Sequence, residues 1–129
     1  MDYTFGKEYK LCSQTVIDSL FESGEQFKAY PFIVRFLETE LRTDKPFQLV
    51  ISAPKRIFRF AHQRNRAKRI CKEAIRHHKE NLESYLRDNG KQLALFVVYT
   101  SRSELGHEKL NHQTEKMFQK LILQLKEHD

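Results

Sequence analysis

Only two of the 129 residues are cysteine, Cys12 and Cys71. They stand far apart and match no ligand spacing, which argues against a disulfide framework and fits reduced thiols in a cytosolic protein. No apolar run approaches the ~20 residues needed to cross a bilayer. The longest, Leu93 to Tyr99, has the length of a strand. Glycine (4) and proline (3) are scarce, and there is no Gly/Ser linker, repeat or low-complexity tract, so one domain over residues 1–129 is expected. Met1-Asp2-Tyr3-Thr4 shows no basic region followed by an apolar stretch, so no signal peptide is expected and the location is cytoplasmic. No Ser/His/Asp set or carboxylate pair is placed for hydrolysis, and no catalytic side chain is expected. The six histidines do not suggest a metal site. His77 and His78 are adjacent and diverge on a helix, while His107 and His112 lack a Cys or acidic partner at ligand spacing.

What the chain has is positive charge in one place. The net charge is +6. Between Ser52 and Lys79 lie Lys55, Arg56, Arg59, Arg64, Arg66, Lys68, Arg69, Lys72, Arg76 and Lys79, opposed only by Glu73. That segment carries +9 and leaves −3 for the rest, a footprint suited to a polyanion held at one site.

Periodicity places this charge on a helix. A first helix is predicted near Ser13–Glu22, capped by Ser13, with Val16, Ile17, Leu20 and Phe21 at helical spacing and Gly24 as its stop. A strand follows over Phe32–Leu37, with Phe32, Val34 and Phe36 on one face and Ile33, Arg35 and Leu37 on the other. Thr43-Asp44-Lys45-Pro46 reads as a turn into a second strand, Phe47–Ser52, paired antiparallel with the first as a hairpin. Lys55–Phe60 is irregular or a short third strand. One long helix is predicted from about Ala61 to Arg87. Its apolar side holds Ala67, Ile70, Cys71, Ala74, Ile75, Leu82, Tyr85 and Leu86; its other side holds Arg66, Lys68, Arg69, Lys72, Arg76 and Lys79. Asn89-Gly90 ends it. Gln92–Thr100 is the most apolar strand and is expected at the sheet centre. A last helix spans roughly Glu108–Lys126, with Met117, Phe118, Leu121, Ile122 and Leu125 facing the core. The fold class is α+β: a two-layer sandwich, helices on a mixed sheet of about four strands.

The sharpest motif is Arg64-Asn65-Arg66-Ala67-Lys68-Arg69 at the start of the long helix. Guanidinium forks pair with phosphate oxygens, and helix N-terminal N–H groups add partial positive charge. Asn65 can bond a phosphate, a base edge or a 2′-hydroxyl. A solvated helix face normally mixes charges of both signs, and this one does not.

Here the sequence resembles the bacterial ribonuclease P protein family. The resemblance rests on Arg64-Asn65-Arg66, Lys68-Arg69 and Glu73-Ala74-Ile75-Arg76, on Ile51-Ser52-Ala53-Pro54-Lys55-Arg56, and on Phe21-Glu22-Ser23-Gly24 followed by Phe32 to Leu37. It implies a subunit that assists a catalytic RNA in removing the 5′ leader of precursor tRNA, with Mg²⁺ held by the RNA and none by the protein. It further implies an unusual left-handed β-α-β crossover. By position, Lys55, Arg56, Arg64, Asn65, Arg66, Lys68, Arg69, Lys72 and Arg76 would bind the catalytic RNA. Ile17, Phe21, Ile33 and Arg35 would line a cleft for the single-stranded leader. The partners implied are the catalytic RNA and precursor tRNA, with no membrane and a protein monomeric on its own.

The chain departs from the family in three places. Its N-terminal arm has only Lys7 and Lys10 beside Asp2 and Glu8, Arg35 stands where a cleft aromatic is expected, and Phe58-Arg59-Phe60 fills a stretch often small and glycine-containing. Plain core packing is the competing reading for Ile17 and Phe21, and a pair with Glu22 or Glu38 for Arg35. Phe58 and Phe60 either offer an exposed stacking pair or seal the sheet edge. The alternative function is a non-catalytic structured-RNA-binding or ribosome-associated protein. A helix-turn-helix DNA reader is disfavoured by the single long helix, and a stand-alone nuclease by the missing carboxylate cluster.

Overall fold

The computed structural model describes residues 5–101 and 106–127; the Met1-Asp2-Tyr3-Thr4 stretch lies outside them. A 3-10 turn at Lys7–Tyr9 precedes α1, Gln14–Ser23. Ser13 caps α1 as expected, its Oγ accepting from the Val16 N–H at 3.4 Å. Gly24 ends it. A Cβ there would meet the Leu20 carbonyl oxygen at 2.2 Å and that of Phe36 at 3.0 Å, so only glycine lets the chain turn this close to the sheet.

Four strands follow: β1 Glu25–Ala29, β2 Phe32–Glu38, β3 Phe47–Ser52 and β4 Leu93–Tyr99. β1 is an addition to the expected set. Phe27 is its one buried side chain, so no alternating pattern marked it, and it pairs with β2 across Tyr30-Pro31, whose peptide bond is cis.

The sheet order is β1-β2-β4-β3, with the β1–β2 and β2–β4 pairs antiparallel and the β3–β4 pair parallel. The mixed four-stranded α+β architecture is the one expected, and β4 is central as expected. The β2–β3 hairpin is not formed. Residues 39–46 make a long connection for a hairpin. The strand richest in apolar residues, Leu93-Ala94-Leu95-Phe96-Val97-Val98-Tyr99, takes the interior place between β2 and β3, where both its faces are covered.

The helix after β3 is also broken. α2 runs Ala61–His78 and α3 Glu80–Asp88, separated by Lys79 alone. Gly90, at φ 63°, closes the turn after α3 in the left-handed region that glycine tolerates. α4 is His107–Glu127. α2, α3 and α4 cover one sheet face. There Phe32, Val34, Phe36, Leu95 and Val97 meet Cys71, Ile75, Leu86, Met117 and Leu121 in the main core. On the other face α1 packs over β2 and β4 in a smaller cluster around Leu11, Leu20, Leu41 and Ala94. No helix among the described residues is long and apolar enough to cross a membrane.

Lys79 is a correction to the charge pattern. It lies four residues after Ile75 and three before Leu82, within the buried stripe, and is 1% exposed. Its Nζ donates to Glu83 Oε1 and, at 3.5 Å, to the Tyr9 hydroxyl, which itself donates to both Glu83 carboxylate oxygens at 3.1 Å. Burying the ammonium is tolerable because it is paired at i,i+4 and capped by an aromatic hydroxyl. The outward basic face therefore ends at Arg76.

Candidate nucleic-acid interface

α2 begins where Phe60 donates its N–H to Gln63 Oε1 at 3.2 Å. No acid stands in its first turn, so the positive end of the helix dipole is uncompensated. Lys55 and Arg56 in the turn after β3, and Asn65, Arg66, Lys68, Arg69 and Lys72 on α2, are all exposed. The helix holds its own members of this set within two turns, a spacing that suits a folded polyanion.

Arg64 and Arg76 of the basic set make bonds that shape the protein itself. Arg64 is half-buried and donates to the carbonyls of Phe58 at 3.1 Å and Arg59 at 3.2 Å, tying the loop to the helix start. Arg76 pairs with Glu73, and the guanidinium holds that carboxyl below the usual carboxylate range, with His77 adding to the effect. The exposed cations of α2 lie between Asn65 and Lys72.

Phe58 and Phe60 take different roles. Phe58 stacks on Tyr99, with centroids 5.8 Å apart and planes at 20°, and seals the core edge. Phe60 is 52% exposed and stacks on His62, with the Arg59 guanidinium 5.6 Å from its ring. Sequence spacing left these two fates open because both side chains flank the same arginine.

On the opposite sheet face the four residues expected at the cleft separate into two kinds. Phe21 is 48% exposed, and its ring lies 5.2 Å from the Arg35 guanidinium. Arg35 donates to the Phe21 carbonyl at 3.2 Å and to Gln26 Oε1 at 2.9 Å; these partners replace the carboxylates Glu22 and Glu38 considered from the sequence. Ile17 packs into the cluster beneath α1. Ile33 lies two residues along β2, opposite Val98, which in turn pairs with Ser52. All three are half-buried and form an open row beyond α1. Phe96 was not anticipated. It sits opposite Arg35 on β4 and meets Phe21 edge-on at 5.0 Å. The alternation Ala94, Phe96, Val98 carried that signal, hidden because β4 is apolar on both faces.

Cys71 has no chemistry to offer. It is wholly buried and its thiol is pushed up to about 12 by desolvation, whereas Cys12 is exposed. Alkylation of the native protein at pH 8 is expected to label Cys12 alone, and of the unfolded protein both, as read by intact mass. Labelling of Cys71 in the native state at the rate of Cys12 would contradict the core assignment.

A family model described as Ribonuclease P matches residues 5–122. The chain belongs to the ribonuclease P protein family. Among curated ribonuclease P protein components, that of Porphyromonas gingivalis is 39% identical over 88 residues, covering 66% of this chain and 64% of the relative. That of Legionella pneumophila is 32% identical over 75 residues, covering 58% and 63%. The matched stretch is thus under two thirds of each relative's length. The fold agrees with solved ribonuclease P proteins. The Staphylococcus aureus protein superposes with a TM-score of 0.62 over 86% of this chain and 93% of its own, at 17% identity. The Thermotoga maritima protein gives 0.63 over 86% and 96%, at 16% identity.

Proposed function

We propose that this ribonuclease P family chain is the protein subunit of the enzyme, binding the catalytic RNA and the 5′ leader of precursor tRNA so that the RNA removes the leader. The observation that carries this reading is the outward basic surface of Lys55, Arg56 and α2, together with Phe21, Phe96 and Arg35 on the opposite sheet face. The first surface suits phosphates of a folded RNA; the second suits an unpaired strand, offering rings to bases and a guanidinium to a phosphate. Arg35 uses two of its five N–H donors on Phe21 and Gln26 and keeps capacity for a phosphate.

The protein supports binding, and the hydrolysis belongs to the RNA. The donor set at the basic surface, Lys, Arg and Asn, does not fit a bound Mg²⁺; among the described residues no group of three or more His, Cys, Asp or Glu converges. On this reading Mg²⁺ would be held by RNA phosphates, and cations on α2 would lower the free ion concentration that folded RNA needs. Such a subunit works in the cytoplasm, as a monomer until it meets its RNA.

Leader recognition gives the test. Adding the protein to the catalytic RNA is expected to raise the affinity for precursor tRNA over mature tRNA, since only the precursor carries a leader. Arg35→Ala is expected to lower that ratio about three- to tenfold, or ~0.7–1.4 kcal/mol, part of the ~1–3 kcal/mol of one stacked base, without changing affinity for the catalytic RNA. The affinity ratio of the reconstituted enzyme is the measurement. A ratio that the protein leaves unchanged rejects the proposed function; a ratio unchanged by the mutation removes Arg35 from the leader site.

A further inference from the structure

A second concave surface lies at the outer edge of the sheet, away from Phe21 and Arg35. It is a groove of about 580 Å³ between the 3-10 turn, the outer edge of β3 and α2. Its volume falls in the range of about 300–1,000 Å³ that small-ligand sites occupy. The floor is apolar, made by Leu11, Leu49 and Ile51. The wall is the half-buried Phe5 ring, backed by the buried Tyr9 ring at 5.0 Å between centroids, which in turn leans on Phe47 at 5.3 Å. The rim is cationic, with Lys10 on one side and Lys68, Arg69 and Lys72 on the other. Lys72 Nζ lies 5.9 Å from the centre of the Phe5 ring. No Asp or Glu is among the described residues that line it.

Two features show a built groove. The segment after the 3-10 turn is fixed against β3 by the Leu11 N–H to Leu49 carbonyl bond at 3.1 Å and by the Gln48 amide to the Glu8 carbonyl at 2.9 Å. The Tyr9 ring is held from behind by its hydroxyl bonds to buried Glu83. Lys68 and Lys72 stand at i,i+4, one above the other on the same helix face, so two cations meet a ligand from one direction. An apolar floor with an aromatic wall suits a flat ring, and a one-sign cationic rim suits its phosphates.

We propose that this groove takes a single unpaired nucleotide of the bound RNA, its base against the half-buried Phe5 and Ile51 and its phosphates between Lys10, Lys68 and Lys72. The inference rests on the reading that the α2 surface binds RNA, and adds that part of this surface reads an extruded nucleotide where a regular duplex offers only phosphates.

Adenosine 5′-monophosphate titrated into the full-length protein, followed through methyl resonances, is the probe. It is expected to shift the methyls of Leu11, Leu49 and Ile51, whereas inorganic phosphate leaves those methyls unmoved. Lys10→Gln with Lys72→Gln should weaken the nucleotide about tenfold or more, as loss of two charge-assisted contacts requires. Circular dichroism of the double variant should match wild type, since both side chains are exposed. Methyls that do not respond to the nucleotide, or that respond equally to an oligoglutamate peptide, overturn the proposal. A hairpin RNA titrated in parallel separates the two levels: binding of the hairpin with silent methyls defeats this inference alone, and no binding of either defeats the RNA reading as well.

Discussion

Replacing Arg66, Lys68 and Arg69 together by Gln is expected to weaken binding of the catalytic RNA about ten- to a hundredfold at moderate salt. The three side chains are exposed within about one turn of α2. Each phosphate contact that is lost removes about 0.7–0.9 from the slope of log K against log salt, so the slope should fall by about 2 to 3. The same three charges removed as Lys109, Lys116 and Lys120 on α4 should matter far less. Lys109 and Lys116 stand beside Glu108 and Glu115, and Lys120 is spent on the Lys28 carbonyl at 2.8 Å. Equal losses from the two triple variants would mean that net charge alone governs binding, and the assignment of α2 would be wrong. Arg64 is left out of the substitution because its bonds to Phe58 and Arg59 shape the loop, so its loss would mix folding with binding.

The second large effect lies away from the RNA surface. Glu83→Gln leaves the Lys79 ammonium buried without its carboxylate and is expected to cost about 3–5 kcal/mol of stability. Arg87, 3.4 Å from the same carboxylate but largely exposed, stays solvated and cannot substitute. A urea midpoint measures the loss. Lys79→Met combined with Glu83→Leu removes both charges and should recover most of it, since an apolar pair of similar size avoids the desolvation cost. Glu73→Gln, which breaks an exposed pair with Arg76, should change stability by less than about 1 kcal/mol. If Glu83→Gln proves as mild as Glu73→Gln, the pair is not buried as described.

The amino-acid sequence made the basic helix, the capped first helix, the central apolar strand and the last helix legible, because each has a strong period or a physical stop signal. Ser13, Gly24 and Gly90 act as those signals foretell. The strand pairing was hidden. β2 and β3 are neighbours in sequence, yet β4 comes between them from more than forty residues away, and no local pattern encodes that insertion. Lys79 was misplaced because residue type was weighted over phase. Its position between Ile75 and Leu82 in the buried stripe, with Glu83 four residues on, was readable as a buried pair. The site shows the same division. The α2 cations were visible from composition, whereas Phe96 and the groove beside Phe5 and Tyr9 depend on tertiary neighbours.

The central claim, that this chain assists an RNA catalyst in removing 5′ leaders, is tested most directly by a cleavage assay. Precursor tRNA is incubated at low Mg²⁺ with the protein alone, with a bacterial ribonuclease P catalytic RNA alone, and with both. The account predicts cleavage at the mature 5′ end only when both are present. Leader removal by RNA-free protein, or no gain when the protein joins the RNA, would contradict it.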